Sequence, residues 1–214
     1  MLILGISTSA GQFALVLGEN SRVIYDSCHS EPAGGELDDL LLKGLSACGK
    51  DIGEITHVIV DTGPGGTSRV RTGVAFANSL AYGLHIPVCP VSSMELSGMD
   101  ACSRYDMPVV SSVKSIRGNA YVGFYGGQPE DGVKITYGRI EDTVPPMVAD
   151  LDAFVAVGAH RATIAQLPAL KTKTVVDSGM QFGNARILIE KSDLFTGRGL
   201  LFPEFALPVT EQTI

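Results

Sequence analysis

The 214-residue chain is short of the residue patterns that mark most metal, thiol and membrane chemistry. Its four cysteines, Cys28, Cys48, Cys89 and Cys102, include no Cys-x-x-Cys pair and read as buried thiols. His29, His57, His85 and His160 include no pair at the i, i+4 spacing that puts two ligands on one helical face, and there is no His-Glu-x-x-His. No Gly-x-Ser-x-Gly elbow appears, so a serine nucleophile has no local signature. No uninterrupted apolar run reaches the ~18 residues of a membrane span. The first basic residue is Arg22, so the positive n-region of an export signal is missing. These absences set the expectation of a cytoplasmic protein with no metal site and no membrane contact. Basic residues are also scarce. Sixteen Lys and Arg against 23 Asp and Glu leave a formal charge of −7, which argues against an unaided grip on a phosphate backbone. Any RNA connected with this chain is expected to be held by something else.

What is present is a foldable apolar chain. Hydrophobic residues make up 45% and charged residues 18%, too apolar for a disordered segment. The 25 glycines have no fixed period and mark turns instead. The length suits one or two compact units with a real core.

Short apolar runs at Leu2 to Ile6 and Phe13 to Leu17, separated by Ser7-Thr8-Ser9-Ala10-Gly11-Gln12, predict a hairpin, and Val23 to Asp26 a third strand. Leu37, Leu40, Leu41, Gly44, Leu45 and Cys48 then fall on one helical face, with Glu36, Asp38 and Asp39 in the first turn and Gly49 as a stop. Gly44 within that stripe would let another backbone come close. His57 to Asp61 reads as a buried strand whose last residue either caps it or faces a cleft, with capping favoured. It leads through Gly63-Pro64-Gly65-Gly66-Thr67-Ser68 into a helix from about Ser68 to Leu84 with two apolar or small faces. Ile86 to Val91 is a strand and Ser93 to Ser103 a short helix.

From Pro108 the order repeats. Val109 to Val113, Ala120 to Tyr125 and Val133 to Arg139 are predicted strands, with a turn at Arg117-Gly118-Asn119. Phe154 to Val157, Ala159 to Gln166, Thr174 to Val176 and Gly179 to Lys191 then alternate strand and helix. Ser192 to Ile214 has no period and is expected as an extended surface tail. The element order predicts an α/β protein of two lobes, each a mixed sheet flanked by helices, over residues 1–104 and 105–214.

The glycine-rich strand-to-helix turn is the most specific local feature. It offers an anion site at a helix N-terminus, but the favoured reading is a tight turn whose Ser68 caps the helix. It is not a Walker A loop, because Arg69 and Val70 follow where Lys and Ser or Thr are required. Arg69 and Arg71 suit a phosphate, a partner carboxylate or plain solvent. The Ser7-Thr8-Ser9 turn offers hydroxyls only, which bind a hard dication weakly beside carboxylates.

The run Leu2-Ile3-Leu4-Gly5-Ile6-Ser7-Thr8-Ser9 resembles the opening of the TsaB (YeaZ) family. Gly63-Pro64-Gly65, Ser68, Val70-Arg71 and Gly73 resemble that family's G-P-G-S-F-T-G-x-R-x-G motif, with Thr67 and Arg69 in place of its Phe and Gly. Ile86-Pro87-Val88, Val91-Ser92-Ser93-Met94-Glu95 and Arg117-Gly118 with Tyr121 resemble later family segments. The resemblance implies the actin-like ATPase (RNase H-like) fold. It also implies a non-catalytic subunit that pairs with a TsaD-like threonylcarbamoyltransferase in forming threonylcarbamoyladenosine in tRNA. A TsaE-like ATPase would be a further partner, the isolated chain would be a homodimer, and tRNA contact would be indirect. Pairing through first-lobe helices places Leu37, Leu40, Leu41, Gly44, Leu45, Arg69, Thr72, Phe76 and Ser79 at the interface. The TsaD metal histidines have no counterpart in Val91-Ser92-Ser93-Met94-Glu95. Ser7 and Lys114 stand where the family has Asp, and the P-x-Y-x-R ending is absent. No cofactor, metal or catalytic residue is expected. The competing expectations are an active ATP-dependent transferase or kinase of the same fold, and a glycoprotease-type peptidase.

Overall fold

Strand β1 (Leu2–Ser7) runs antiparallel to β2 (Ala14–Glu19), which is antiparallel to β3 (Arg22–Asp26). Helices α1 (Ser27–Ser30) and α2 (Leu37–Cys48) lead to β4 (Ile55–Asp61), and α3 (Thr67–Leu84) leads to β5 (Val88–Val91). β4 pairs parallel with both β1 and β5, giving a sheet of order β3-β2-β1-β4-β5. The computed structural model describes residues 1–10, 13–30, 36–126, 132–211 and 213, and of residues 29 and 30 the backbone alone. Gly11 and Gln12 of the expected first turn, and Gln212 and Ile214 of the expected tail, lie outside them.

The second sheet repeats this plan. α4 (Ser93–Tyr105) precedes β6 (Val109–Lys114), β7 (Ala120–Tyr125), β8 (Val133–Gly138), α5 (Ile140–Met147), β9 (Ala153–Gly158), α6 (Arg161–Ala165) and β10 (Thr174–Asp177). The sheet order is β10-β9-β6-β7-β8, with β6, β7 and β8 antiparallel and β6, β9 and β10 parallel. Two mixed sheets flanked by helices, each opening on a three-stranded meander, make the actin-like ATPase topology expected from the sequence. Among the described residues no helix is long and apolar enough to cross a membrane.

The chain divides at Ser92/Ser93 into two units, and Ala185–Val209 returns to the first. This replaces the expected split at residues 104 and 105, because α4 packs on the β6–β9 part of the second sheet. α7 (Ile187–Glu190) and α8 (Ser192–Thr196) belong to the first unit. No single helix runs from Gly179 to Lys191. The N–H groups of Gly183 and Asn184 bond instead to Ser97 Oγ at 3.0 Å and Asp100 Oδ2 at 2.9 Å. A Cβ on Gly183 would sit 2.7 Å from the Leu96 backbone. The expected surface tail is, from Ser192 to Val209, an ordered part of the first unit. Leu200 and Val88 exchange backbone hydrogen bonds of 3.0 and 2.8 Å, and Val209 N–H donates to Thr62 O at 2.8 Å.

In the first unit Leu2, Leu4 and Ile6 alternate toward a core that also takes Leu15 and Leu17 of β2 and Val70, Val74, Ala77 and Ala81 of α3. Leu37, Leu40, Leu41 and Leu45 of α2 are in this same core, each no more than 5% exposed. They and buried Gly44 are therefore not surface residues, which corrects their expected place at an interface. What approaches Gly44 is the Tyr25 ring, 2.8 Å from where a Cβ would lie. On the opposite sheet face Gly5 and Gly18 leave room for Leu188 and Ile189 of α7.

The second unit's core joins Val110, Val122, Phe154 and Ala156 to Ile140 and Val144 of α5 and Ile164 of α6. α5 was not predicted, since Pro145 and Pro146 lie inside it. Burial of Ile140, Val144 and Val148 at a four-residue spacing outweighs the proline cost over this short span. Of the cysteines only Cys89 is buried, and burial pushes its thiol up to about 11; Cys28 is exposed, and Cys48 and Cys102 are partly so.

Leu41→Ala is expected to lower the unfolding free energy by about 2–5 kcal/mol. The neighbouring Leu42→Ala, at a side chain 61% exposed, should change it little. Urea denaturation of both variants separates a core helix face from an available one.

Candidate functional site at the β1 and β4 ends

Parallel pairing of Ile6 with Val60 brings the C-terminal ends of β1 and β4 together. In open α/β sheets ligands bind beyond such strand ends. Here the two ends are joined by a buried polar cluster of Ser7, Thr8, Ser9, Asp61 and Thr62. Ser7 Oγ donates to Asp61 Oδ2 at 2.7 Å, and Ser9 Oγ donates to the same oxygen. Gly63 N–H donates to Asp61 Oδ1 at 2.8 Å. Both carboxylate oxygens are thereby engaged by the protein itself. Asp61 does cap its strand as expected, and it also holds the turn leaving β1, a link between residues 52 and 54 positions apart.

The motif glycines serve the same junction. Gly63 has φ +86°, a conformation that L side chains rarely adopt. A Cβ on Gly65 would lie 2.8 Å from Ser9 Cα, and Gly73 of α3 lies directly against the Thr8 side chain. Thr8 Oγ1 in turn donates to Arg69 O at 2.9 Å, pinning the first turn of α3. The helix N-cap is Gly66, which makes no side-chain cap bond, so Ser68 is not the expected cap but an exposed first-turn residue. Pro64 is buried beside Gly63, whereas Arg71 points from the exposed side of α3.

Of the predicted interface residues, Arg69, Thr72 and Ser79 are exposed and Phe76 is half-buried against the core. At spacings of three, four and three they form one outward stripe on α3. Lys114 ends β6 in the other unit, beside His160, whose imidazole is held below its usual value first by burial and then by the Lys114 charge.

Among the described residues no group of three or more His, Cys, Asp and Glu side chains is placed to hold an ion. The hydroxyl of Ser7, standing where the family has a carboxylate, is already donated to Asp61. Sequence reasoning missed a cavity of about 290 Å³ between the end of α3 and residues 200–205. Its only local sign was the pair Phe202 and Phe205 in a stretch read as tail.

Asp61→Ala strands buried donors and is expected to cost about 2–4 kcal/mol. Burial raises the Asp61 carboxyl above the usual range, against the lowering pull of its Ser9, Ser7 and Gly63 hydrogen bonds. The protonated form is thus favoured more in the folded than in the unfolded chain. Its contribution is fully present below the ordinary value of about 3.9 and is lost as pH rises through the folded-state value. The stability of the native chain relative to Asp61→Asn should therefore fall with rising pH over that interval and level off above it. Urea titrations across pH 4–8 read this directly.

Residues 29–186, more than half of the chain, match the family model described as "TsaD: tRNA N6-adenosine threonylcarbamoyltransferase". The tRNA threonylcarbamoyladenosine biosynthesis protein TsaB of Bacillus subtilis is 30% identical over 160 residues, covering 70% of this chain and 64% of that protein. The tRNA N6-adenosine threonylcarbamoyltransferase of Chromobacterium violaceum is 29% identical over 113 residues, covering 44% of this chain and 33% of that one. The matched region thus spans from a third to just under two thirds of these curated relatives. YeaZ from Pseudomonas aeruginosa superposes with a TM-score of 0.78 at 18% identity, covering 98% of this chain and 99% of that one, a likeness of fold. By its family-model match and its likeness to TsaB, the chain belongs to the TsaD-related family, in its TsaB (YeaZ) branch.

Proposed function

We propose that the chain is a non-catalytic subunit that pairs with a TsaD-like threonylcarbamoyltransferase and supports formation of threonylcarbamoyladenosine in tRNA. The observation that carries this reading is the inward-turned Asp61. At the strand ends where a working enzyme of this fold would present carboxylates to a ligand, the one carboxylate is buried and takes its hydrogen bonds from Ser7, Ser9 and Gly63. The names of the relatives support the pathway, and the charge of −7 supports leaving the tRNA to the partner.

Pairing is assigned to the outward stripe of α3: Arg69, Thr72, Phe76 and Ser79. Two small residues flank a half-buried ring there, a surface on which another helix can pack closely. In isolation the same stripe pairs two copies of the chain, and a TsaE-like ATPase joins the assembly in the cytoplasm.

Co-purification with the TsaD-like protein of the same cell, scored for modified tRNA with and without this chain, tests the proposal. Burial of one Phe contributes about 1.5–3 kcal/mol, so Phe76→Asp is expected to weaken the complex by about 10- to 100-fold. Thr72→Arg, at an exposed position, should do the same without loss of stability. An unchanged complex with Thr72→Arg removes the stripe from the interface. ATP-dependent transfer by the chain alone removes the non-catalytic reading.

A further inference from the structure

The first unit carries a second built feature, away from the β1 and β4 ends. Residues 200 to 206 are fastened at both ends. Leu200 exchanges backbone hydrogen bonds with Val88. Ala206, 1% exposed, is held by the Asn78 side chain, whose Nδ2 donates to Ala206 O and whose Oδ1 accepts from Ala206 N–H, both at 3.0 Å. Between these clamps the chain arches over the last turn of α3, with Glu204 N–H donating to Leu201 O at 2.9 Å. Under the arch lies the cavity of about 290 Å³.

Tyr82, His85, Phe202 and Phe205 bring rings to its wall, among aliphatic side chains. Phe202 stands edge-to-face with Tyr82 at 5.2 Å between centroids and with Phe205 at 5.9 Å. All three rings are substantially exposed, at 55%, 65% and 42% for Tyr82, Phe202 and Phe205. One carboxylate, Glu204, lines the same cavity, and its side chain makes no hydrogen bond or ion pair with any described residue. Exposed Leu201 and Leu207 form apolar shoulders beside it.

We propose that this cavity receives an arginine side chain from a protein partner, presented on a segment with apolar residues beside the arginine. The volume sits at the lower edge of small-molecule pockets, which run from about 300 Å³ upward, and suits one long side chain. Aromatic faces with a free carboxylate select a cation over an anion or a neutral ring. A planar guanidinium both stacks on a ring and engages a carboxylate through two N–H groups, which an ammonium cannot do. The acidic charge of the chain draws in a basic segment. Because both ends of the arch are already fixed, little ordering cost falls on binding. The site adjoins the end of the α3 stripe assigned above to pairing, since Tyr82 follows Ser79 at a spacing of three, but it does not rest on that assignment.

The test is an NMR titration of the full chain with the peptide acetyl-Ala-Leu-Arg-Leu-Ala-amide and its citrulline counterpart. The expected result is saturable shifts of the Tyr82, Phe202 and Phe205 ring resonances, with the arginine peptide bound about ten-fold tighter than the citrulline one. Glu204→Gln is expected to remove that difference, and Tyr82→Ala to weaken the arginine peptide by about five-fold or more. Thr72→Arg, on the pairing stripe, should leave the titration unchanged. Equal binding of the two peptides overturns the proposal, as does the absence of ring shifts up to about 10 mM arginine peptide. Two further results also overturn it: adenosine filling the cavity without displacement by the arginine peptide, or Glu204→Gln altering self-association of the chain while the peptide has no effect.

Discussion

A carboxylate buried away from the surface must be satisfied from within, and Asp61 shows how far that requirement reaches. Its hydrogen bonds come from the turn leaving β1 and from the first glycine after β4. They fix the turn, and the fixed turn places Thr8 against Gly73 and onto the carbonyl of Arg69. The start of α3 is thereby located in both position and rotation. Rotation decides which side chains enter the core, Val70, Val74, Ala77 and Ala81, and which face outward, Arg69, Thr72 and Ser79. The outward stripe of α3 descends from that one set of hydrogen bonds.

The second sheet has the same strand order and meets the same junction differently. β6 and β9 correspond to β1 and β4 in topology, yet they end on Lys114 and Gly158, with no counterpart of Asp61 at the end of β9. Ser112 Oγ donates to Val157 O at 3.1 Å and accepts from His160 N–H at 3.0 Å. Gly158, at φ +96°, lies directly against the Ser112 carbonyl. The Ser112 hydroxyl, bonded to backbone groups, does there what Asp61 does in the first unit. With no buried acid to protect, that strand end can carry an exposed Lys114. The two halves share a fold and not a chemistry, consistent with the absence of a legible sequence repeat.

Strands and the two long helices were legible because period and turn residues agree there. The turn at Arg117 and Gly118 is a clear case, since both have φ near that of a tight hairpin, +55° and +79°. Long-range contacts were not legible. The leucine face of α2 has the pattern of a helix against something, and pattern alone does not say whether the neighbour is its own sheet or another chain. Residues 179 to 191 have helical spacing, but Ser97 and Asp100 of a distant helix take two of the N–H groups that a helix would use. The glycine motif could be recognised by resemblance. The carboxylate it serves could only be read as a strand cap, because the serines lie 52 and 54 residues away.

The tail illustrates the same limit with a larger consequence. Lacking a period, it offered no reason to be ordered, yet the Asn78–Ala206 pair joins positions 128 apart and turns it into a wall. The high apolar share of the chain then divides unequally. On α2 it is core, with Leu37, Leu40, Leu41 and Leu45 nearly inaccessible. Exposed apolar area gathers instead around Tyr82, Leu201, Phe202, Phe205 and Leu207, at the end of α3 remote in sequence from its glycine motif. A concentration of open aromatic rings held by paired backbone groups is costly to leave in water and is not needed to close the core. One helix, fixed at its first turn by Asp61 and at its last by the arch, therefore carries a buried face, a small-residue stripe and an aromatic pocket. The buried face is separated from the other two around α3, and the stripe from the pocket along it, which is what lets each be changed without unfolding the others.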